Sequence, residues 1–386
     1  MTNRHIFTRY GLIGDNLDLK KNIDLEIDKE GRIMNILYSN PGKNIELSEN
    51  DDNLLMIPGL INSHMHVGDS FAKEVGFNKE LIEVVAPPNG IKHKLLKQTS
   101  KDVKIKGIQK AVLEMLSNGI TTFIDFRENG IEGLTLLKKA LKESQMNYLA
   151  LGRFNNENDI DSVYDLANGI GLVSYKHVSK AMREKLKSKK AKNNKIIACH
   201  CAENVRNDAL ITEMFKDKLI DVIVHGTKFN KNDLELLKKN NLSLILCPRC
   251  NGYFGVGFPP IIEILKLQIP ISLGTDNMMA NSTDLFEEMR YLHGISRVMD
   301  KTVELDARKL LKMITINAAR NFKLGDEIGS ILEGKSANFF TINLDEPNYY
   351  SHQIDSNNIY PFIVQRTRSE NIKQTYIKGE LAFERK

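Results

Sequence analysis

Pro58-Gly59-Leu60-Ile61-Asn62-Ser63-His64-Met65-His66 is the stretch around which this 386-residue chain is organised. It enters as an apolar strand, Leu54 to Ile61, and ends in two histidines one residue apart. In an extended backbone side chains alternate, so both imidazoles project from the same side and can grip one metal ion. Such a pair leaves part of the coordination sphere open, and further ligands must come from elsewhere in the chain. Three later stretches, each closing an apolar strand, offer them: Ile196-Ile197-Ala198-Cys199-His200, Val222-Ile223-Val224-His225 and Ile271-Ser272-Leu273-Gly274-Thr275-Asp276. A lone histidine at a strand end usually serves packing. Four polar strand ends in one chain point to a shared site.

Outward from that stretch the rhythm is strand, loop, helix. Apolar strand cores fall at 56–63, 120–126, 147–152, 169–175, 195–199, 221–224, 242–247 and 270–275, with helix-period segments between them. The clearest helix runs from Val103 to Ser117, where Ile105, Ile108, Val112, Met115 and Leu116 recur at helical spacing before Gly119. Alternating strands and helices predict an α/β fold, a (β/α)8 TIM-like barrel over residues 58–322. On either side the period drops to two, as in Ile23-Asp24-Leu25-Glu26-Ile27 and Ile372-Lys373-Gln374-Thr375-Tyr376-Ile377. Residues 1–57 and 323–386 are therefore expected to form one small β-sandwich domain from both chain ends, with 343–358 a loose surface excursion. Barrel enzymes carry their chemistry at the C-terminal ends of the strands. His64 and His66 follow the first strand, His200 and Glu203 the fifth, His225 the sixth and Asp276 the eighth, so all can converge on one mouth.

Composition is that of a globular protein, 41% hydrophobic and 27% charged, and no apolar run approaches a membrane span. The N-terminus lacks the apolar core of a signal peptide, which predicts a cytoplasmic location. The net charge of +5 is mild, and the basic run Lys185-Leu186-Lys187-Ser188-Lys189-Lys190-Ala191-Lys192 reads as a solvated helix face instead of a nucleic-acid surface. Of the four cysteines, Cys199 and Cys201 flank His200 and should pack away from the lumen. Cys247-Pro248-Arg249-Cys250 has metal or redox spacing but lacks a second such pair.

Taken together, Pro58 to His66, His200-Cys201-Ala202-Glu203, Val224-His225-Gly226, Cys247-Pro248-Arg249-Cys250-Asn251 and Leu273-Gly274-Thr275-Asp276-Asn277 resemble the amidohydrolase superfamily. Within it they are similar to the cytosine deaminase, S-adenosylhomocysteine deaminase and chlorohydrolase group, and Leu285 to Arg290 and Gly329 to Asn338 extend the likeness. The resemblance implies that His64, His66, His200 and Asp276 hold a single divalent metal, zinc or alternatively iron, and that Glu203, His225 and Asp276 are catalytic. Three neutral imidazoles and one carboxylate leave a +1 site able to lower the pKa of a bound water toward ~7. Asp276 can accept that water's proton, Glu203 can protonate a ring nitrogen, and His225 can orient the water or stabilise the tetrahedral oxygen. The implied reaction is deamination at an amidine carbon of a purine, pyrimidine or pterin-like heterocycle. Hydrolysis of another C–N or C–halogen bond is the alternative, and a non-catalytic scaffold is disfavoured because every ligand type is retained. Lys176, after the fourth strand, stands where binuclear members carry a bridging carboxylated lysine. Asn277 departs from the small residue of many relatives.

Substrate choice falls to the strand-end loops. The longest, Gly68 to Ser100, reads as a lid, and without tryptophan any stacking falls to residues such as Phe71 and Tyr253. Arg127, Arg153 and Arg249 each follow a strand, and guanidinium forks match carboxylate or phosphate groups. They are expected to hold an anionic substituent of the substrate, the competing reading being ion pairs with neighbouring acids such as Glu128. A small-molecule heterocycle is the expected partner, without nucleic acid or membrane, and a homo-oligomer is compatible with this reading.

Overall fold

The computed structural model describes residues 3–42, 45, 47, 53–351 and 355–386. Its first four strands are β1 (Arg4–Ile13), β2 (Asp18–Ile27), β3 (Ile33–Ser39) and β4 (Leu54–Pro58). Nine parallel strands follow: β5 (Leu60–His66), β6 (Ile120–Arg127), β7 (Asn147–Gly152), β8 (Gly169–Leu172), β9 (Ile196–Cys201), β10 (Val222–His225), β11 (Ser243–Leu246), β12 (Ile271–Leu273) and β13 (Asp276–Asn277). Three close the chain, β14 (Phe339–Asn343), β15 (Ile372–Ile377) and β16 (Glu380–Glu384).

The parallel strands form one rolled, TIM-barrel-like sheet in the order β12-β11-β10-β9-β8-β7-β6-β5-β13. Its first and last members are neighbours in the chain, separated only by Gly274 and Thr275. β12 pairs with β11, whereas β13 pairs with β5 through Asp276 opposite Met65 and Asn277 opposite His66. Where the ladder is interrupted, the Asn62 side chain takes over: its Nδ2 donates to Thr275 Oγ1 (2.8 Å) and its Oδ1 accepts from Thr275 N (3.1 Å). Both faces of the sheet are buried, so the period-two pattern sorts residues into two cores. Ile124, Phe126, Leu151, Ala198, Val222, Val224 and Ile245 pack together in one cluster. Their alternates Phe123, Ala150, Ile197, Cys199, Ile223 and Leu244 pack in the other, among helix residues such as Leu134, Met214 and Leu234.

Among the described residues the other strands make one seven-stranded sheet, β16-β15-β14-β4-β1-β2-β3, antiparallel except where β4 lies beside β1. Both ends of the chain contribute, as expected, but in one sheet instead of the two stacked sheets of a sandwich. The sheet curls because its far elements are tied: Ile33 N donates to Lys335 O (2.9 Å) and Ala337 N to Gly31 O (2.8 Å). Gly31 sits at φ +80°, and a Cβ there would lie 2.4 Å from Lys378 Cβ, so the approach requires glycine. Alternation again serves two cores. Met56 and Phe339 join Ile23, Leu25 and Ile27 on one face, while Leu55, Ile57 and Phe340 face the main core.

Between β5 and β6 lie α1 (Leu81–Val85), α2 (Ile91–Gln98) and α3 (Lys101–Ser117). The helix expected from Val103 starts two residues earlier because Ser100 caps it, accepting from Val103 N. The strand expected to run to 175 ends at Leu172, since Ser174 Oγ accepts from Lys176 N and starts a tight turn over Tyr175–His177. Lys185, Lys187, Lys189 and Lys190 of the basic helix Lys180–Asn193 pair with Asp161, Glu184, Asp165, Asp217 and Asp221. Part of the excursion expected over 343–358 lies outside the described residues; what is described there includes the turn Pro347–Tyr349, anchored by Tyr349 Oη donating to Thr367 Oγ1 (2.8 Å). No described helix is long and apolar enough to cross a membrane.

Candidate active site

β5 is buried along its whole length, and its alternation turns His64 and His66 toward the same point. There His64 Nε2 lies 3.1 Å and His66 Nε2 3.3 Å from Asp276 Oδ1. The His200 ring stands 4.8 Å from that of His64, centroid to centroid. Two of the three imidazoles have a defined tautomer. His200 Nδ1 is 2.8 Å from Leu172 O and His66 Nδ1 is 3.0 Å from Phe126 O; a carbonyl only accepts, so Nδ1 carries the proton and Nε2 presents a lone pair. Burial lowers His64 to about 3 despite Asp276 beside it, and burial foremost holds His200 well below the usual histidine range. These are neutral imidazoles. Burial works against ionisation of Asp276 as well, yet His64, His225 and His66 hold its carboxyl well below the usual range.

This donor set fits a divalent metal. Potential ligand atoms of His64, His66 and His200 lie within 4.8 Å of one another, and so do those of His64, His225 and Asp276. Donors ~2.1 Å from a tetrahedral ion are roughly 3.4 Å apart, close to the 3.1 and 3.3 Å separations from Asp276. The backbone is strained at the same place: Ala202, His225 and Asp276 have φ of +50°, +73° and +60°, the left-handed region that non-glycine residues seldom adopt.

Above the donors, His66, His200, Glu203, His225 and Asp276 floor a cavity of ≈ 210 Å³. Val85, Ala86 and Pro87 roof it from the end of α1, and Lys92, Arg153 and His177 are also in its wall. Glu203 Oε2 is 3.5 Å from His225 Nε2, while Glu203 Oε1 is buried without a hydrogen-bond partner. Burial raises Glu203 to about 7, with His225 opposing and Asp276 reinforcing. A carboxyl poised near neutrality can both give and take a proton. Across the ring of His225, Nδ1 is 3.3 Å from Asn251 Nδ2.

The candidate ligands His64, His66, His200 and Asp276, and Glu203 with His225, are thus brought to one place. Two of the three arginines are not. Arg127 is 1% exposed, donating from Nε to Gly133 O (3.0 Å) and lying 3.6 Å from Asp125, so it is a core residue and not part of the rim. Arg249 is turned outward, onto Ser282 and Glu287. Only Arg153 reaches the cavity, its nearest carboxylate partner being Glu128 at 4.0 Å. Lys176 is exposed on its turn, away from the donors. Neither Phe71 nor Tyr253 lines the cavity, and Tyr253 packs on Phe77 instead. All four cysteines are free, and Cys199 packs outside the lumen. Sequence reasoning missed Lys92, Asp69 and Glu128. Lys92 Nζ reaches Glu128 (2.6 Å), Asp69 (3.2 Å) and Asn277 Oδ1 (2.9 Å), all buried. Glu128, adjacent to a strand end, carried a signal; Lys92 lay in the long loop with none.

The chain is similar to known proteins in sequence and in fold. The chain is 38% identical over 305 residues to an uncharacterised protein of Methanocaldococcus jannaschii, covering 74% of this chain and 77% of that one. It is 25% identical over 371 residues to a 5-methylthioadenosine/S-adenosylhomocysteine deaminase of Thermoanaerobacter pseudethanolicus, covering 85% and 81%. A crystal structure of an adenosine deaminase from Xanthomonas campestris with bound zinc has the same fold, with a TM-score of 0.80 at 17% identity over 98% of this chain and 92% of that one. The sequence model of the amidohydrolase family matches residues 55–382, from within β4 to within β16. Spanning the histidine pair, every strand-end donor and the whole parallel sheet, that match makes this chain a member of the amidohydrolase family.

Proposed function

We propose that the protein is a metal-dependent aminohydrolase, replacing the amino group on an amidine carbon of a purine, pyrimidine or pterin-like heterocycle by oxygen and releasing ammonia. The observation that carries this reading is the convergence of His66, His200 and Asp276 with the Glu203–His225 pair on the floor of one small cavity, with His64 against Asp276 and His200 beside them. The first four would hold one divalent ion, zinc by its imidazole and carboxylate donors. Bound there, the ion supplies Lewis acidity that lowers the pKa of a water toward ~7.

The chain's own groups divide the proton work. Asp276 takes a proton from the attacking water; Glu203 delivers one to the ring nitrogen next to the target carbon, so that water oxygen bonds to carbon as the C–N bond to the amino group breaks. The leaving nitrogen gains its third hydrogen from Asp276 and departs as ammonia, while the remaining proton of the added hydroxyl passes to Glu203, leaving a carbonyl and restoring both carboxyls. His225, with Nε2 3.5 Å from Glu203 and 4.0 Å from Asp276, orients the water between them. Arg153 is the cavity's contact for an anionic substituent. In this reading β12 and β13 are two halves of the eighth strand of a (β/α)8 barrel over 58–322, with 1–57 and 323–386 a second domain.

Ammonia release by the zinc-loaded protein across a panel of heterocyclic amidines tests the reading. At least one should turn over, with anionic members favoured over neutral isosteres, and Glu203→Gln should keep its metal while losing ~10²-fold or more in kcat. No release across the panel, or loss of metal from the Glu203→Gln protein, would count against it.

A further inference from the structure

One of the three histidines is supported differently from the others. Besides the Phe126 carbonyl, His66 Nδ1 has a carboxylate at 2.8 Å, Glu128 Oε1. His200 Nδ1 has only Leu172 O, and His64 Nδ1 has no hydrogen-bond partner among the described residues. The same Glu128 oxygen is 2.6 Å from Lys92 Nζ, and the Glu128 and Lys92 side chains are each 2% exposed. Lys92 belongs to α2, and the roof residues Val85, Ala86 and Pro87 immediately precede that helix. A chain of contacts therefore runs from the cavity wall at Lys92, through Glu128, to the imidazole whose Nε2 faces Asp276.

We propose that Glu128 is a positioning residue that orients and strengthens His66 as a metal donor, and that Lys92 holds Glu128 in place, so that docking of the 81–98 helices and retention of the metal are linked. A carboxylate this close to Nδ1, beside the carbonyl that accepts its proton, reinforces that tautomer electrostatically and makes Nε2 more basic; loss of such a partner typically weakens metal binding roughly 10–100-fold. Lys92 is suited to its role because it also balances Asp69, 3.2 Å away. Without its ammonium, two buried carboxylates would face each other and Glu128 would turn from His66 toward Arg153, its other cation. Asp69 touches Lys92 but not His66, which makes it a natural control.

This inference rests on the reading that His66 holds a metal, and chelator-competition titration of Zn²⁺ separates the two. Wild-type protein that binds no zinc refutes that reading itself. If wild type binds, Glu128→Gln should raise the Kd for Zn²⁺ roughly 10–100-fold, Lys92→Met should raise it in the same direction, and Asp69→Asn should change it less than about threefold. The double variant Glu128→Gln/Lys92→Met should be no weaker than Glu128→Gln alone, because both act through one contact. Thermal unfolding of the metal-free proteins distinguishes positioning from mere support of the fold. Unchanged zinc affinity in Glu128→Gln, with or without a lower Tm, would overturn the proposal. Should that variant not fold, a Lys92→Met protein that folds and binds zinc like wild type would overturn it equally.

Discussion

At the scale of single residues, Glu288 shows how burial keeps a carboxyl protonated, with an effect on stability that depends on pH. It is fully buried on the helix Leu285–Met299, accepting from Arg249 N (3.1 Å), with Arg249 Nη1 3.7 Å away. Burial raises its carboxyl to about 8, Arg249 only partly opposing. In the unfolded chain the same group ionises near ~4.3. Between these values the folded protein binds the proton that the unfolded chain has lost, so stability falls as pH rises across this window and levels off above it. Denaturant unfolding of wild type and Glu288→Gln from pH 5 to 9 should show the variant gaining on wild type by up to about 1.4 kcal/mol per pH unit until near pH 8. A difference independent of pH would mean that Glu288 is ionised throughout. Arginines were the residues least legible in the sequence. A strand-end position says where the Cα is, but Arg127 folds back along Gly133 and Arg249 onto Ser282, and those partners come from other elements. Histidines are short, so for His64, His66, His200 and His225 the strand end and the side-chain position nearly coincide.

Elements were legible where one period ran for several residues. β7, at 147–152, has the bounds expected of it and most others differ by a few residues at their ends, but the strand expected at 56–63 is split at Gly59 between β4 of the seven-stranded sheet and β5 of the parallel one. What could not be read was the interruption at Gly274 and Thr275, because it depends on β5, more than two hundred residues earlier in the chain. A Cβ on Gly274 would lie 2.6 Å from both His64 N and His64 Cβ, backbone-level contacts that cannot give without moving the strand. Gly274→Ala should therefore push β12 and β13 away from β5, costing about 1–3 kcal/mol as overpacking and moving Asp276 off His64. Thermal unfolding together with zinc content checks this: the variant should lose both Tm and metal. Wild-type values for both would show that the contact relaxes elsewhere. The segment from α1 to α2 is the other element whose role stayed hidden. Its loop was expected to cover the mouth, but that α2 brings the Lys92 ammonium to Glu128, beside His66, follows only from packing.

At the scale of the whole molecule, two sheets divide the labour. The seven-stranded sheet unites both chain ends and packs Leu55, Ile57 and Phe340 into the main core, directly before the strand that carries the histidines. Its membership was legible from the period-two runs; its curl was not, since that depends on Gly31 meeting Lys378 across the fold. The rolled parallel sheet then brings His66, His200, His225 and Asp276 to one cavity, with Glu203 just beyond β9. The central claim is that this convergence is a one-metal hydrolytic centre. The most direct test is a titration of the metal-free protein with Zn²⁺ while ammonia release from its best heterocyclic substrate is followed. The rate should rise linearly and break at one equivalent per chain. A break at two equivalents, or a rate indifferent to the added metal, would contradict it.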